Sequence, residues 1–262
     1  PALRRVARRY PVGTAKALAT LTAELERSRR SSGGVRRPFI REWLHAVELV
    51  DRLRTTPTVR HLHAHYAHGA TSIAWFASRI TGLSFSFTGH ARDIYADSSN
   101  PEGVLRRKLE SARFAVTCTG TNQRMLKAVA PDATVHCLYH GLNADFSQLL
   151  KSRAPSPKPH ERFRILSVGR LVRKKGFDIL IEAAALLRMS SIPFEVVIIG
   201  NEGEHADDIR SLIAARELGQ HVSIVGPQDQ ARLFDEYHRA HVFCLPCRVL
   251  EDGDRDGIPN VL

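Results

Sequence analysis

The chain has 262 residues, 43% of them hydrophobic and 25% charged, and a formal net charge of +11. That length and apolar content suffice for a sizeable core and exclude a disordered chain, and no apolar run approaches the ~18 residues of a spanning helix. Four cysteines, Cys118, Cys137, Cys244 and Cys247, do not make a disulfide scaffold at this length, so a reducing cytoplasm is expected.

Residues 1–60 carry 14 Lys/Arg against 5 Asp/Glu, a net of +9 out of the total +11. This region reads as helices, "TAKALATLTAELERS" and "FIREWLHAVELVDRLR". Its charge fits either a polyanionic neighbour, such as an anionic membrane surface, or a solvated helical face. Only Tyr10, Phe39 and Trp43 are interspersed as aromatics, a poor base-stacking platform, so nucleic acid is not expected as a partner. The chain opens on Pro1 and no strand precedes Val59, so the first domain is expected to lack its opening strand.

From Val59 onward, β-branched runs alternate with helical stretches. "VRHLHAHY" predicts a strand, "ATSIAWFASRITG" a helix ending on Gly82, and "SFSFTGH" a strand. The helix "EGVLRRKLESAR", strand "FAVTCTG", helix "NQRMLKAVA" and strand "TVHCLYHG" follow. This rhythm predicts a parallel sheet with helices on both faces. The segment 147–162, rich in proline, serine and charge, reads as a linker. Then come "FRILSVG", "GFDILIEAAALLRM", "FEVVIIG", "ADDIRSLIAARELG" closed by Gly219, "HVSIVG", "DQARLFDEYHRA" and "HVFCLPC". The expected organisation is an α/β protein of two Rossmann-like, doubly wound domains, 1–146 and 163–262, joined by the linker. Ligands of such sheets sit at the carboxyl ends of the strands.

One strand-to-helix turn, "SVGRLVRKKGFD", places Arg170, Arg173, Lys174 and Lys175 ahead of a helix N-terminus. Cations there oppose the helix dipole unless an anion balances them. No GxGxxG is present, which argues against the usual dinucleotide fingerprint.

"VGRLVRKKGFDILIEAAALL", "VVIIGNEGE", "HVSIVGPQDQARLFDEYHRAHVFCLPC" and "DGDRDGIPNVL" together resemble the donor-binding domain of glycosyltransferase family 4, retaining enzymes of the two-Rossmann GT-B fold. "HAHYAHGATSIAWFASRITGLSFSFTGHARDIY" and "YHGLNADFS" resemble the same family's acceptor domain. The likeness covers about residues 59–262 and implies transfer of a sugar from a UDP- or GDP-sugar to a lipid-linked or polysaccharide acceptor. No metal or other cofactor is implied, and the chain looks truncated at both ends. The resemblance implies that Arg170 and Lys175 neutralise the leaving diphosphate. His90 would lie near the transferred sugar, and Gly169 and Asp256, with Gly257, Ile258, Pro259 and Asn260 at a helix N-terminus, would complete donor binding. The implied location is cytoplasmic, peripheral at the inner membrane face. The alternatives are a basic non-catalytic membrane- or nucleic-acid-binding module, or another nucleotide-using Rossmann enzyme such as a sugar-nucleotide epimerase.

Three residue patterns suggest other chemistry. Asp252, Asp254, Asp256 and Gly257 have the spacing that opens a calcium loop, but the run before them reads as a strand, not a helix, and Pro259 lacks the N–H such a loop pairs. His61, His63 and His65 share one face of a strand, a possible zinc or copper set, but the strand is expected to be buried with no cysteine or carboxylate nearby. Cys244 and Cys247 have redox spacing, but Cys244 is expected inside a strand, whereas a redox CxxC opens a helix.

Overall fold

The computed structural model describes residues 1–32, 36–96, 98–101, 103–141, 162–190 and 192–261. Apart from Arg162, the expected linker lies outside them. The chain divides into two compact units, Pro1–Tyr139 and His140–Leu262.

The first unit begins with α1 (Ala2–Arg9), α2 (Pro11–Ser32) and α3 (Arg37–Leu53). Four parallel strands follow, β1 (His61–His65), β2 (Ser84–Gly89), β3 (Phe114–Thr117) and β4 (Val135–Cys137), paired in sequence order. The connections are α4 (Gly69–Thr81), α5 (Ala91–Tyr95), α6 (Val104–Ser111) and α7 (Gly120–Val129). Alternation along the strands sends Ala64, Phe85, Phe87, Ala115 and Val135 into one core with Trp75, Leu109 and Leu126 of the helices. Behind α4, its residues Phe76, Ala77 and Ile80 meet Phe39, Trp43 and Val47 of α3 and Leu21 of α2. α4 is therefore enclosed between the sheet and a further helical layer. The carboxylate of Glu24, 1% exposed, receives two hydrogen bonds from Arg107 at 2.7 and 2.6 Å and so ties α2 to α6.

The other face of this sheet carries the strand histidines, and here the expectation of a buried strand fails. His63 and His65 are exposed, and β1 is an edge strand. His61 and His63 interleave with the hydroxyls of Ser84, Ser86 and Thr88 at 2.7–3.0 Å. Among the described residues, the three histidines form no group with metal-ligand spacing.

In the second unit β5 (Phe163–Val168), β6 (Phe194–Ile199), β7 (Val222–Val225) and β8 (Val242–Phe243) form a parallel sheet in the order β7-β6-β5-β8. α8 (Phe177–Met189) and α9 (Ala206–Ala215) bury Phe177, Ile181 and Ile209 on one face against Ile165, Val196 and Ile198. α10 (Gln230–Arg239) covers the other face, where Leu233 and Tyr237 pack on Leu166, Val168, Val197 and Ile199. This unit is doubly wound as expected. The chain moves outward from β5 to β7 and then returns to place β8 on the far side of β5, so the switch point lies between β5 and β8.

Three local expectations are corrected. β8 is only two residues long, pairing Val242 and Phe243 with Ile165 and Leu166, and Cys244 lies just beyond it. Helix α9 ends at Ala215, and the left-handed residue that follows is Glu217, φ 53°, not Gly219. Residues 257–261 form bends and a turn instead of the start of a helix.

At Gly176 φ is +69°, and an added Cβ would lie 1.9 Å from the Pro246 carbonyl oxygen. Gly176→Ala therefore combines left-handed strain with a backbone clash and is expected to cost more than ~2 kcal/mol. Gly219 has no positive φ, and a Cβ added there would meet nothing within 4 Å, so Gly219→Ala is expected to be neutral or to gain up to about 1 kcal/mol. Denaturant midpoints of the two variants check the contrast, and equal midpoints would refute it.

Candidate functional site

The loops leaving β5 and β8 meet at the switch point, where open α/β sheets bind their ligands. The β5 loop runs through Gly169 and Arg170 into a 3-10 turn at Arg173–Lys175 and then Gly176, which starts α8. The β8 loop doubles back so that the Arg248 amide donates to the Lys174 carbonyl at 2.9 Å, and the Arg248 Nε donates to the Arg173 carbonyl at 3.2 Å. The same guanidinium pairs with Asp178 of α8 at 2.8 Å. Local sequence gives no sign of this arginine's role, because the partners are some 70 positions or more away.

These contacts bring lysines against carboxylates. Lys175 Nζ lies 2.7 Å from Asp256 Oδ2, and Lys174 Nζ lies 3.1 Å from Asp254 Oδ1 and 3.5 Å from Asp256 Oδ1. All four side chains are at most 18% exposed. Burial raises the Asp256 carboxyl, but the hydrogen bond from Lys175 and the charges of both lysines outweigh it and hold the group below the usual aspartate value. Gly169 lies under the Lys175 stem, since a Cβ there would approach its Cδ and Cε to 3.3 Å.

The anions balancing the basic turn are therefore the protein's own acids, with one exception. Arg170 is exposed, and its side chain makes no ion pair with any described residue. The amides of Gly257, Ile258 and Asn260 likewise donate to no described residue. Pro259 is half-buried among them.

Asp254 and Asp256, which a calcium loop would turn onto one ion, are instead paired with lysines. The Cys247 thiol donates to Asp256 Oδ2 at 3.4 Å, and burial together with the Asp256 charge pushes it up to about 11. A redox cysteine needs the opposite shift. Cys244 does not lie in a strand, but the redox reading still lacks support, since no helix begins after the pair among the described residues.

His90 belongs to the first unit, at the carboxyl end of β2, where it N-caps α5. Asp93, 2% exposed, accepts from the His90 amide at 3.2 Å and from the Ala67 amide at 2.9 Å through the same oxygen. One carboxylate thus joins the loops after β1 and β2. The sequence motif singled out His90 but not Asp93 or Tyr66, which it brings alongside.

Cations on one switch-point loop thus face acids on the other, beside amides that donate to no described residue. Residues 150–261 match the family "Glycosyl transferases group 1", and the second unit carries a domain of that family. The chain is 38% identical over 103 residues to the amylovoran biosynthesis glycosyltransferase AmsK of Erwinia amylovora, a match that spans 39% of this chain and 25% of that protein. It is 34% identical over 234 residues to the D-inositol 3-phosphate glycosyltransferase of Arthrobacter sp. (strain FB24), a match that spans 78% of this chain and 54% of that protein. The chain thus spans between a quarter and about half of the length of these relatives. Among solved structures, the apo lipopolysaccharide outer core galactosyltransferase WaaB superposes with a TM-score of 0.61 at 16% identity, over 82% of this chain and 57% of that one. Anabaena Alr3699/HepE, in complex with UDP and glucose, gives 0.58 at 14% identity, over 77% and 56%. The fold class is that of GT-B glycosyltransferases, as expected.

Because Asp256 has a lowered folded pKa, its pairing stabilises the protein above the ordinary aspartate value of 3.8 and loses that effect as pH falls through the folded value. Asp256→Asn is expected to melt below the parent at pH 7, with the gap narrowing as the pH drops below 3.8. A gap of constant size from pH 7 down to well below the ordinary aspartate range would show that the carboxylate charge does not hold the two loops together.

Proposed function

We propose that the chain is part of a retaining glycosyltransferase that moves a sugar from a UDP- or GDP-sugar to a lipid-linked or polysaccharide acceptor. The observation that carries this reading is the meeting of Lys175 with Asp256, with exposed Arg170 on the same loop as Lys175, at the switch point of a group 1 glycosyltransferase domain. As the bond from the anomeric carbon to the donor phosphate breaks, charge grows on the leaving diphosphate. Lys175 and the exposed Arg170 guanidinium neutralise it. With two cations in that role, no metal is required. The bond to the acceptor oxygen forms on the same face of the sugar, and the acceptor's proton passes to the leaving phosphate oxygen. Asp256 and the amides of Gly257, Ile258 and Asn260 orient the sugar hydroxyls and phosphate. Relatives named for amylovoran and colanic acid biosynthesis support a polysaccharide setting.

Either Arg170→Ala or Lys175→Ala in the complete enzyme is expected to lower turnover about a hundredfold, the order lost with one transition-state charge stabiliser. Losses under threefold in both would remove the phosphate clamp from the reading. A melting shift of the parent with UDP or GDP, reduced in Arg170→Ala, would show the binding step directly.

We also propose that the basic helices contact an anionic membrane at its cytoplasmic face. Arg5 is paired with Asp51, but Arg4, Arg8 and Arg9 of α1 are exposed and pair with no described residue, while Leu3 and Val12 are 42% and 67% exposed beside them. Among the described residues no helix is long and apolar enough to cross a membrane. Each exposed cation near an anionic surface contributes about 1 kcal/mol, so binding to phosphatidylglycerol vesicles is expected to fall steeply with salt. Binding that is absent at low salt, or preference for duplex DNA over vesicles, would overturn the proposal.

A further inference from the structure

Tyr66 is one of two described non-glycine residues with positive φ, at +73°. A bulky aromatic in that region is an outlier that persists only where its surroundings hold it, and such residues gather at functional sites. The other, Glu217, closes a helix, where a left-handed residue is routine. Tyr66 closes no helix. It follows the last residue of β1, at the carboxyl end where these sheets bind ligands.

The surroundings that hold it are specific. The Tyr66 amide donates to the Thr88 carbonyl at 2.9 Å, and its own carbonyl accepts from the Thr71 hydroxyl at 2.7 Å. The next amide, Ala67, is fixed by buried Asp93, which holds the His90 amide as well. Strain of this kind serves to aim a side chain, and this one is aimed outward. Tyr66 is 51% exposed, although a core lies directly behind its neighbour Ala67. The His90 ring is 5.3 Å away at 51°, and the His68 ring 5.5 Å away at 21°.

An exposed, rigidly placed aromatic ring with a polar hydroxyl tip beside imidazoles matches the chemistry of a pyranose. The sugar's C–H face is weakly positive and apolar and lies on the negative face of an aromatic ring, while its hydroxyls reach flanking polar groups. We infer that Tyr66, flanked by His68 and His90, forms an aromatic subsite that stacks on a neutral pyranose ring, placing an acceptor-side sugar next to His90. The inference rests on the glycosyl-transfer reading for its role but not for its chemistry. A structural role alone would favour glycine here, since glycine adopts φ +73° without strain. A tyrosine at this angle therefore costs local stability.

The test is saturation-transfer NMR of the 262-residue protein with methyl α-D-glucopyranoside, methyl α-D-mannopyranoside and methyl α-D-galactopyranoside, alongside thermal melts. Transfer to the ring C–H protons of at least one glycoside is expected for the parent, Tyr66→Phe and Tyr66→Trp. Tyr66→Ala and Tyr66→Gly are expected to lose roughly fivefold in affinity, the order that an aromatic stacking contact supplies. Tyr66→Gly is also expected to melt at or above the parent temperature, because it removes the strain. The inference is overturned if no glycoside shows transfer, if Tyr66→Ala binds as the parent does, or if Tyr66→Gly melts well below the parent. A UDP or GDP melting shift without glycoside binding would sink this subsite and leave the donor reading standing. Glycoside binding without any nucleotide effect would do the reverse.

Discussion

Two lysines of the loop after β5 are held by two aspartates of the loop after β8, and the architecture of the second unit depends on that pairing. The switch point supplies the place, because the return of the chain to β8 leaves two loops side by side with no helix between them. β8 contributes little by itself, with two residues paired to β5. The β8 loop is instead fixed by the lysine–aspartate pairs and by Arg248, which bonds to two carbonyls of the basic turn and to Asp178. Buried cations without these acids would carry an uncompensated desolvation penalty. The acids are therefore structural in the unliganded protein, whatever else they contact.

The first unit solves a similar problem with one carboxylate. Asp93 is buried and accepts from the amides of Ala67 and His90, so the loops after β1 and β2 share an anchor. Lys108, 1% exposed, reinforces the first of these loops by donating to the carbonyls of Ala67 and His68 at 2.9 Å each. Burial pushes its amine down to about 7, against the opposing pull of Glu42. In both units, buried charges set the backbone at the carboxyl ends of strands, and the residues placed there remain accessible.

The elements were largely legible in the sequence because period and punctuation encode them locally. The strand "SFSFTG", the helix end at Gly82 and the helix read over "DQARLFDEYHRA" appear in the structure where those patterns predict. The site was legible only in part. The resemblance picked out Lys175 and Asp256, and the structure joins them. Lys174–Asp254, 80 positions apart, and Arg248 depend on how a long loop folds back, and no local pattern records that. Tyr66 was invisible for another reason. A tyrosine after a strand looks ordinary until the backbone angle is known. The exposure of the strand histidines escaped the sequence reading because alternation identifies a strand's two faces but not which of them is covered.

The pairing of Lys175 with Asp256 also constrains how a donor can bind under the glycosyl-transfer reading. A lysine held by an aspartate is charged, positioned and partly desolvated before any ligand arrives, so little reorganisation remains when phosphate charge develops. The same aspartate competes for that lysine, which limits ground-state affinity for the diphosphate. Arg170 has no such competitor among the described residues, and its exposed guanidinium is the natural first contact for an incoming phosphate. Binding would then begin at Arg170 and draw in Lys175 as Asp256 exchanges its lysine for sugar hydroxyls. Growth of negative charge on the leaving group shifts that exchange further toward the phosphate, so the lysine is recruited most fully in the transition state. An interaction that strengthens only as the bond breaks raises turnover more than affinity.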